Sequence, residues 1–66
     1  MNVGNQIKKY RKEKGITQQR LSEISGINLS TIKKYEINNR NPKLQSLEKI
    51  AKALDVRVSD ILEREL

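Results

Sequence analysis

The chain has 66 residues, 35% of them apolar and only two aromatic, Tyr10 and Tyr35, with no cysteine and no histidine. That composition leaves room for one thin aliphatic core, and it excludes disulfides, zinc fingers and the usual His- or Cys-based nucleophiles and bases. The net charge of +6 is one-sided: residues 1–43 carry ten Lys and Arg against Glu13, Glu23 and Glu36, a net of +7, while residues 44–66 carry four against five, a net of −1. Such a surface either keeps a small domain in solution or meets a polyanion, and charge alone favours neither.

The opening "MNVGNQIKKY" holds no apolar run of signal-peptide length, and nothing later approaches a membrane span, so a cytoplasmic protein without membrane contact is expected. Val3, Ile7 and Tyr10 recur at i, i+4 and i+7 and predict one face of a first helix that stops at Lys14-Gly15. Thr17 caps a short second helix running through Ile24; Arg20 stands where a full capping box would put Glu or Gln. Gly26 allows a sharp turn, and Asn28 caps a third helix that ends near Glu36. The run "INNRNP", closed by Pro42, predicts an exposed loop. Leu44, Leu47, Ile50, Ala51 and Leu54 mark a fourth helix ended by Asp55, and "VRVSDILEREL" supplies a short fifth. These elements predict a compact all-α, five-helix domain over residues 1–66, with a helix-turn-helix at about residues 17–36.

Two short helices joined by a glycine turn, the second polar at its tip and followed by a basic loop, suit the major groove of B-DNA. That groove admits one helix, whose first turn needs hydrogen-bonding and short apolar side chains to reach base edges. Asn28, Ser30, Lys33 and Lys34 meet this need. Gln18, Asn38, Asn39, Arg40 and Asn41 supply donors of the kind that phosphates accept; Thr31 suits either purpose and is assigned to phosphate. Leu29 has two readings. Leu29, Ile32 and Tyr35 are spaced i, i+3, i+6 and would extend a buried stripe, but each three-residue step turns about −60°, leaving Leu29 at its edge. The expectation is an exposed contact to a thymine methyl. The tyrosines fall on apolar stripes and are expected in the core.

Over about Val3 to Leu62 the chain also resembles the Cro/CI-type (Xre-type) helix-turn-helix DNA-binding regulators, through "VGNQIKKYRKEKGITQQRLSEISGIN", "STIKKYE", "NRNP", "LEKIAKALDV" and "ILE". The resemblance implies a lambda-repressor-like domain and a transcriptional regulator, with repression the expected sense. It implies that Gln18 meets a phosphate, that Asn28, Leu29, Ser30, Lys33 and Lys34 enter the groove, and that Asn39 and Arg40 touch the backbone. It also implies a structural pair between Arg11 and Glu36, which physics supports: a carboxylate near a helix C-terminus is poorly placed against the dipole without a cationic partner. Four residues depart from the family's habit. Ser22 replaces a small alanine and needs a hydroxyl partner, expected one turn back. Asn38 and Asp55 replace glycines and are expected in the left-handed region. Arg57 replaces a Ser or Thr cap, so the last helix is expected to fray.

The apolar C-terminal residues Val58, Ile61, Leu62 and Leu66 are candidate contacts with a second copy, or else cover the core. The acids lie mainly on polar faces and no Gly-rich phosphate loop appears, so no enzyme, metal, cofactor or small-molecule effector is expected. The expected partners are double-stranded DNA, bound at a palindromic operator, and a second copy of the chain. The competing reading is a protein-interaction module, such as an antitoxin or a regulatory subunit, whose main partner is another protein.

Overall fold

A computed structural model describes residues 3–62. Among them the secondary structure is entirely helical: α1 (Val3–Glu13), α2 (Gln18–Ser25), α3 (Leu29–Glu36), α4 (Leu44–Leu54) and α5 (Val58–Leu62). Each helix contributes one side chain that is completely buried, namely Ile7, Leu21, Ile32, Ile50 and Ile61. Ile27, Tyr35, Leu47, Ala51 and Leu54 complete the core, and Val3, Tyr10, Ile16, Val58 and Leu62 pack around it. α1 lies against α3, α4 and α5, while α2 lies against α3 and α4. Among the described residues no helix is long and apolar enough to cross a membrane.

Three of the five helices end in the same way. At Gly15, Asn38 and Asp55 the backbone turns left-handed, with φ of 74°, 60° and 58°. Each donates its N–H to the carbonyl three residues back, and the next residue donates five back, as Ile16 does to Arg11, Asn39 to Lys34 and Val56 to Ala51. This pair of hydrogen bonds satisfies carbonyls that a helix end leaves orphaned. Asn38 and Asp55 tolerate the glycine conformation because a short polar side chain lowers the penalty. Asn38 adds a second role: its Oδ1 accepts from the Gly4 N–H at 3.2 Å, fastening the start of α1 to the end of α3.

Several expectations need correction. Leu44 heads the fourth helix but is 63% exposed, so the buried stripe starts at Leu47. Ser22 does not bond one turn back; its hydroxyl donates forward to the Ile27 carbonyl at 2.6 Å, across the turn that follows α2. The start of α5 is held although Arg57 offers no capping oxygen, because Asp60 Oδ2 accepts from the Arg57 N–H at 2.9 Å. That is the reciprocal half of a capping box, with the acid also well placed against the dipole. Ile61 is wholly buried and serves the core, so it is not a contact for a second copy. Val58 and Leu62 keep partial exposure, and Leu66 lies outside the described residues.

One helix contact was invisible in the apolar pattern. Gly4 is buried where α1 crosses the end of α3, and a Cβ there would overlap the Tyr35 carbonyl oxygen and crowd Asn38 Oδ1. The two helices meet backbone to backbone. Alanine normally stabilises a helix by about 1 kcal/mol relative to glycine. Here Gly4→Ala is expected to lower the urea midpoint of unfolding instead, and a raised midpoint would show that α1 and α3 separate at no cost.

Candidate nucleic-acid interface

Thr17, extended at φ −83° and ψ 166°, opens α2 by accepting the Arg20 N–H on its hydroxyl oxygen. Arg20 then pairs on the open surface with Glu23. α2 stops at Gly26, whose left-handed backbone returns its N–H to the Ser22 carbonyl. Ser25 Oγ accepts from the Ile27 N–H, and Ser22 donates to the Ile27 carbonyl, so both polar groups of that linking residue are held by α2. Ile27 itself is in the core. The turn is therefore tied by side chains at both ends as well as by glycine geometry.

α3 begins with Asn28, whose Oδ1 accepts from both the Ser30 N–H at 2.9 Å and the Ser30 hydroxyl at 2.8 Å. Residues of an α-helix turn about 100° per step, which divides α3 into two faces. Ile32, Tyr35 and Glu36 are buried; Ser30, Lys33 and Lys34 are exposed, as is the cap Asn28. Leu29 and Thr31 are half-buried at the borders. Leu29 lies off the core cluster, on the side shared with Lys33. Both tyrosines belong to the interior: Tyr35 is buried and Tyr10 packs against the core.

The base of this helix is fixed by a buried polar network. Arg11 Nε donates to Glu36 Oε2 at 2.7 Å and Nη2 to Oε1 at 3.0 Å, with side-chain exposures of 11% and 3%. The third guanidinium nitrogen donates to the Ile16 carbonyl at 2.9 Å. Glu36 Oε1 also accepts from Gln18 Nε2 at 3.1 Å. One carboxylate thus gathers α1, the first residue of α2 and the end of α3, and Arg11 extends the network to the loop before α2. A planar fork is the geometry a bidentate carboxylate requires, which Lys cannot supply.

The network changes how Gln18 is to be read. One of its two amide hydrogens is engaged by Glu36, and the other makes no hydrogen bond with a described residue. From the sequence, Gln18 carries a phosphate role alone and is not joined to the Arg11 and Glu36 pair. The remaining donors, Asn38, Asn39, Arg40 and Asn41, lie exposed together on the loop after α3. Asn38 differs from its neighbours in that its carbonyl oxygen is turned onto Gly4. Lys33, Lys34 and Arg40 make no ion pair with a described residue.

Two short helices at this turn, the second presented outward, define a helix-turn-helix domain. The family described as Helix-turn-helix matches residues 7–61, and the chain belongs to it. It is 42% identical over 62 residues to the HTH-type transcriptional regulator SinR of Bacillus subtilis (strain 168), a match spanning 92% of this chain and 56% of SinR. It is 40% identical over 65 residues to the immunity repressor protein of Bacillus phage phi105, spanning 98% of this chain and 45% of that protein. The chain thus spans about half the length of the curated relatives it matches. Its fold superposes on the solved N-terminal DNA binding domain of SinR with a TM-score of 0.89 at 41% identity, covering 96% of this chain and 93% of that one.

The pair can be tested by its asymmetry. Removing one partner strands the other charge, at a cost of about 3 to 5 kcal/mol, comparable with all the stability a core of this size supplies. Arg11→Met and Glu36→Leu are each expected to leave the chain largely unfolded by circular dichroism at 25 °C. The double variant is expected to regain helical signal, because no charge is left unpaired. A double variant as damaged as either single one would mean that Ile16 and Gln18, not the charge pair, carry the contribution.

Proposed function

We propose that the chain is a sequence-specific double-stranded DNA-binding transcriptional regulator, a repressor in particular, that lays α3 in the major groove. The observation that carries this reading is the division of α3: a buried face anchored through Glu36, and an exposed face carrying Asn28, Ser30, Lys33 and Lys34. Such a helix presents base-reading groups without bending the scaffold to do so. Leu29 reads a thymine methyl from the border of that face. Gln18, Thr31, Asn38, Asn39, Arg40 and Asn41 hold phosphates on either side, Gln18 through its second amide hydrogen. The names of the relatives, a regulator and a repressor, support the same reading.

One copy reads only a few base pairs. Two copies about 34 Å apart on one DNA face double the interface, and a two-fold dimer then demands a palindromic operator. Of the residues expected at that contact, Val58 and Leu62 keep partial exposure and support it. A double-stranded DNA ligand supports a cytoplasmic location for the chain.

Two measurements test these roles. Affinity for a duplex selected from a random pool is expected to fall steeply between 50 and 200 mM salt, with Arg40→Ala weakening all sequences about equally and lowering the log–log slope by about one. Lys34→Ala is expected to weaken the selected site in particular. A flat salt response would favour a protein partner, and altered base preference in Arg40→Ala would move that residue to the reading group. For Leu29, replacing the contacted thymine by uracil is expected to weaken binding as much as Leu29→Ala does, with little further loss when the two are combined. Additive losses would place the leucine elsewhere.

A further inference from the structure

The reading turn of α3 has a fixed hydrogen-bond polarity, and its logic runs from one atom that has no choice. The Ser30 backbone N–H can only donate, so the Asn28 side-chain atom 2.9 Å from it must be the carbonyl oxygen rather than the amide nitrogen. That oxygen cannot donate. The 2.8 Å contact between the same oxygen and Ser30 Oγ therefore uses the hydroxyl hydrogen of Ser30. Both lone pairs of the Asn28 oxygen are then engaged, and both residues are exposed. What each has left to offer is determined. Asn28 presents only its two amide hydrogens, and Ser30 presents only oxygen lone pairs. Lys33 and Lys34, also exposed, can only donate.

Base edges in the major groove carry both kinds of partner. Acceptors are common there, as N7 and O6 of guanine, N7 of adenine and O4 of thymine; the donors are the exocyclic amino groups of adenine and cytosine. Resting on the DNA-binding reading above, we propose that Ser30 acts as a hydrogen-bond acceptor that selects an exocyclic amino group, adenine N6 or cytosine N4. It is the one member of the exposed reading set with no hydrogen to give. Asn28, Lys33 and Lys34 take the acceptor atoms around it. A serine is ordinarily ambivalent because its hydroxyl rotates to suit the base. Here the cap of α3 removes that freedom, so the residue that starts the helix also sets the sense in which its neighbour reads. A thymine or guanine opposite Ser30 would set two acceptors against each other, or force the hydroxyl off the cap.

The test is a cycle between protein and base on a duplex recovered from a random pool by the wild-type chain. Single bases of the half-site are changed in turn. Adenine is replaced by purine, which lacks the 6-amino group; cytosine by pyrimidin-2-one, which lacks the 4-amino group; and purines by their 7-deaza forms, which lack the N7 acceptor. Wild type and Ser30→Ala are compared on the same duplexes, so any loss of base-pair strength cancels. Ser30→Ala retains the Ser30 N–H bond to Asn28, and its helical content and melting temperature are measured alongside. Removing one amino group is expected to weaken wild-type binding roughly three- to tenfold, the range of a single net hydrogen bond, with no further loss in Ser30→Ala. Whether the sensitive base is adenine or cytosine identifies which amino group is read. Coupling of Ser30→Ala to a 7-deaza purine instead would show Ser30 donating, and would overturn the proposal. Penalties that add at every position would overturn it as well. A folded wild-type chain that retains no duplex at all would remove the DNA reading itself, and this assignment with it.

Discussion

The Glu36 carboxylate is the constraint on which the rest of the structure depends. It lies at the wrong end of α3 for the helix dipole, and it is almost completely withdrawn from water. Such a charge is tolerable only if its oxygens are filled with donors, and three nitrogens from two other helices fill them. The consequence is geometric. To satisfy one buried acid, α1 must cross α3 at a fixed place and α2 must begin beside the end of α3. In a domain whose core is a handful of aliphatic side chains, this polar requirement orients the helices more strictly than non-directional apolar packing would.

The order of the helices was legible because three signals coincide: apolar residues at helical spacing, caps such as Thr17 and Asn28, and stops at Gly15, Gly26 and Asp55. The exposed face of α3 was legible for the same reason, since a helix with a buried stripe has an opposite side. What escaped were features that depend on where separate segments meet. No pattern along the chain shows that Gly4 touches the backbone of Tyr35, or that Gln18 shares an acid with Arg11. Ser22 was expected to bond locally because serines within helices commonly do; the closeness of the following turn supplied a better acceptor. Leu44 matched the period of its helix but sits in the first turn, beyond the reach of the core. For Ile61 the sequence left two readings open, a contact with a second copy or cover for the core, because a five-residue helix gives no hint of which side is covered.

The polar side chains of the turn serve two purposes at once. Ser22, Ser25 and Asn28 are small enough for the close approach of α2 and α3, and each holds a backbone or side-chain group that would otherwise be free to rotate. Ordering these groups before a partner arrives lowers the entropy lost on binding. The loop after α3 is different. Asn39, Arg40 and Asn41 are exposed with no side-chain hydrogen bond among the described residues, which suits contacts to a phosphate chain whose path need not be read atom by atom.

Gly4 has a mechanical consequence for the way this domain tolerates change. Where side chains separate two helices, a bulkier residue can wedge them apart and a smaller one lets them settle. At the crossing of α1 and α3 no apolar side chain intervenes at Gly4, so the spacing there is set by main chain against main chain and by the Asn38 amide, like a ruler. A side chain added at this crossing would therefore lift the end of α3 away from α1. With glycine there, the part of the molecule that faces outward keeps its calibration.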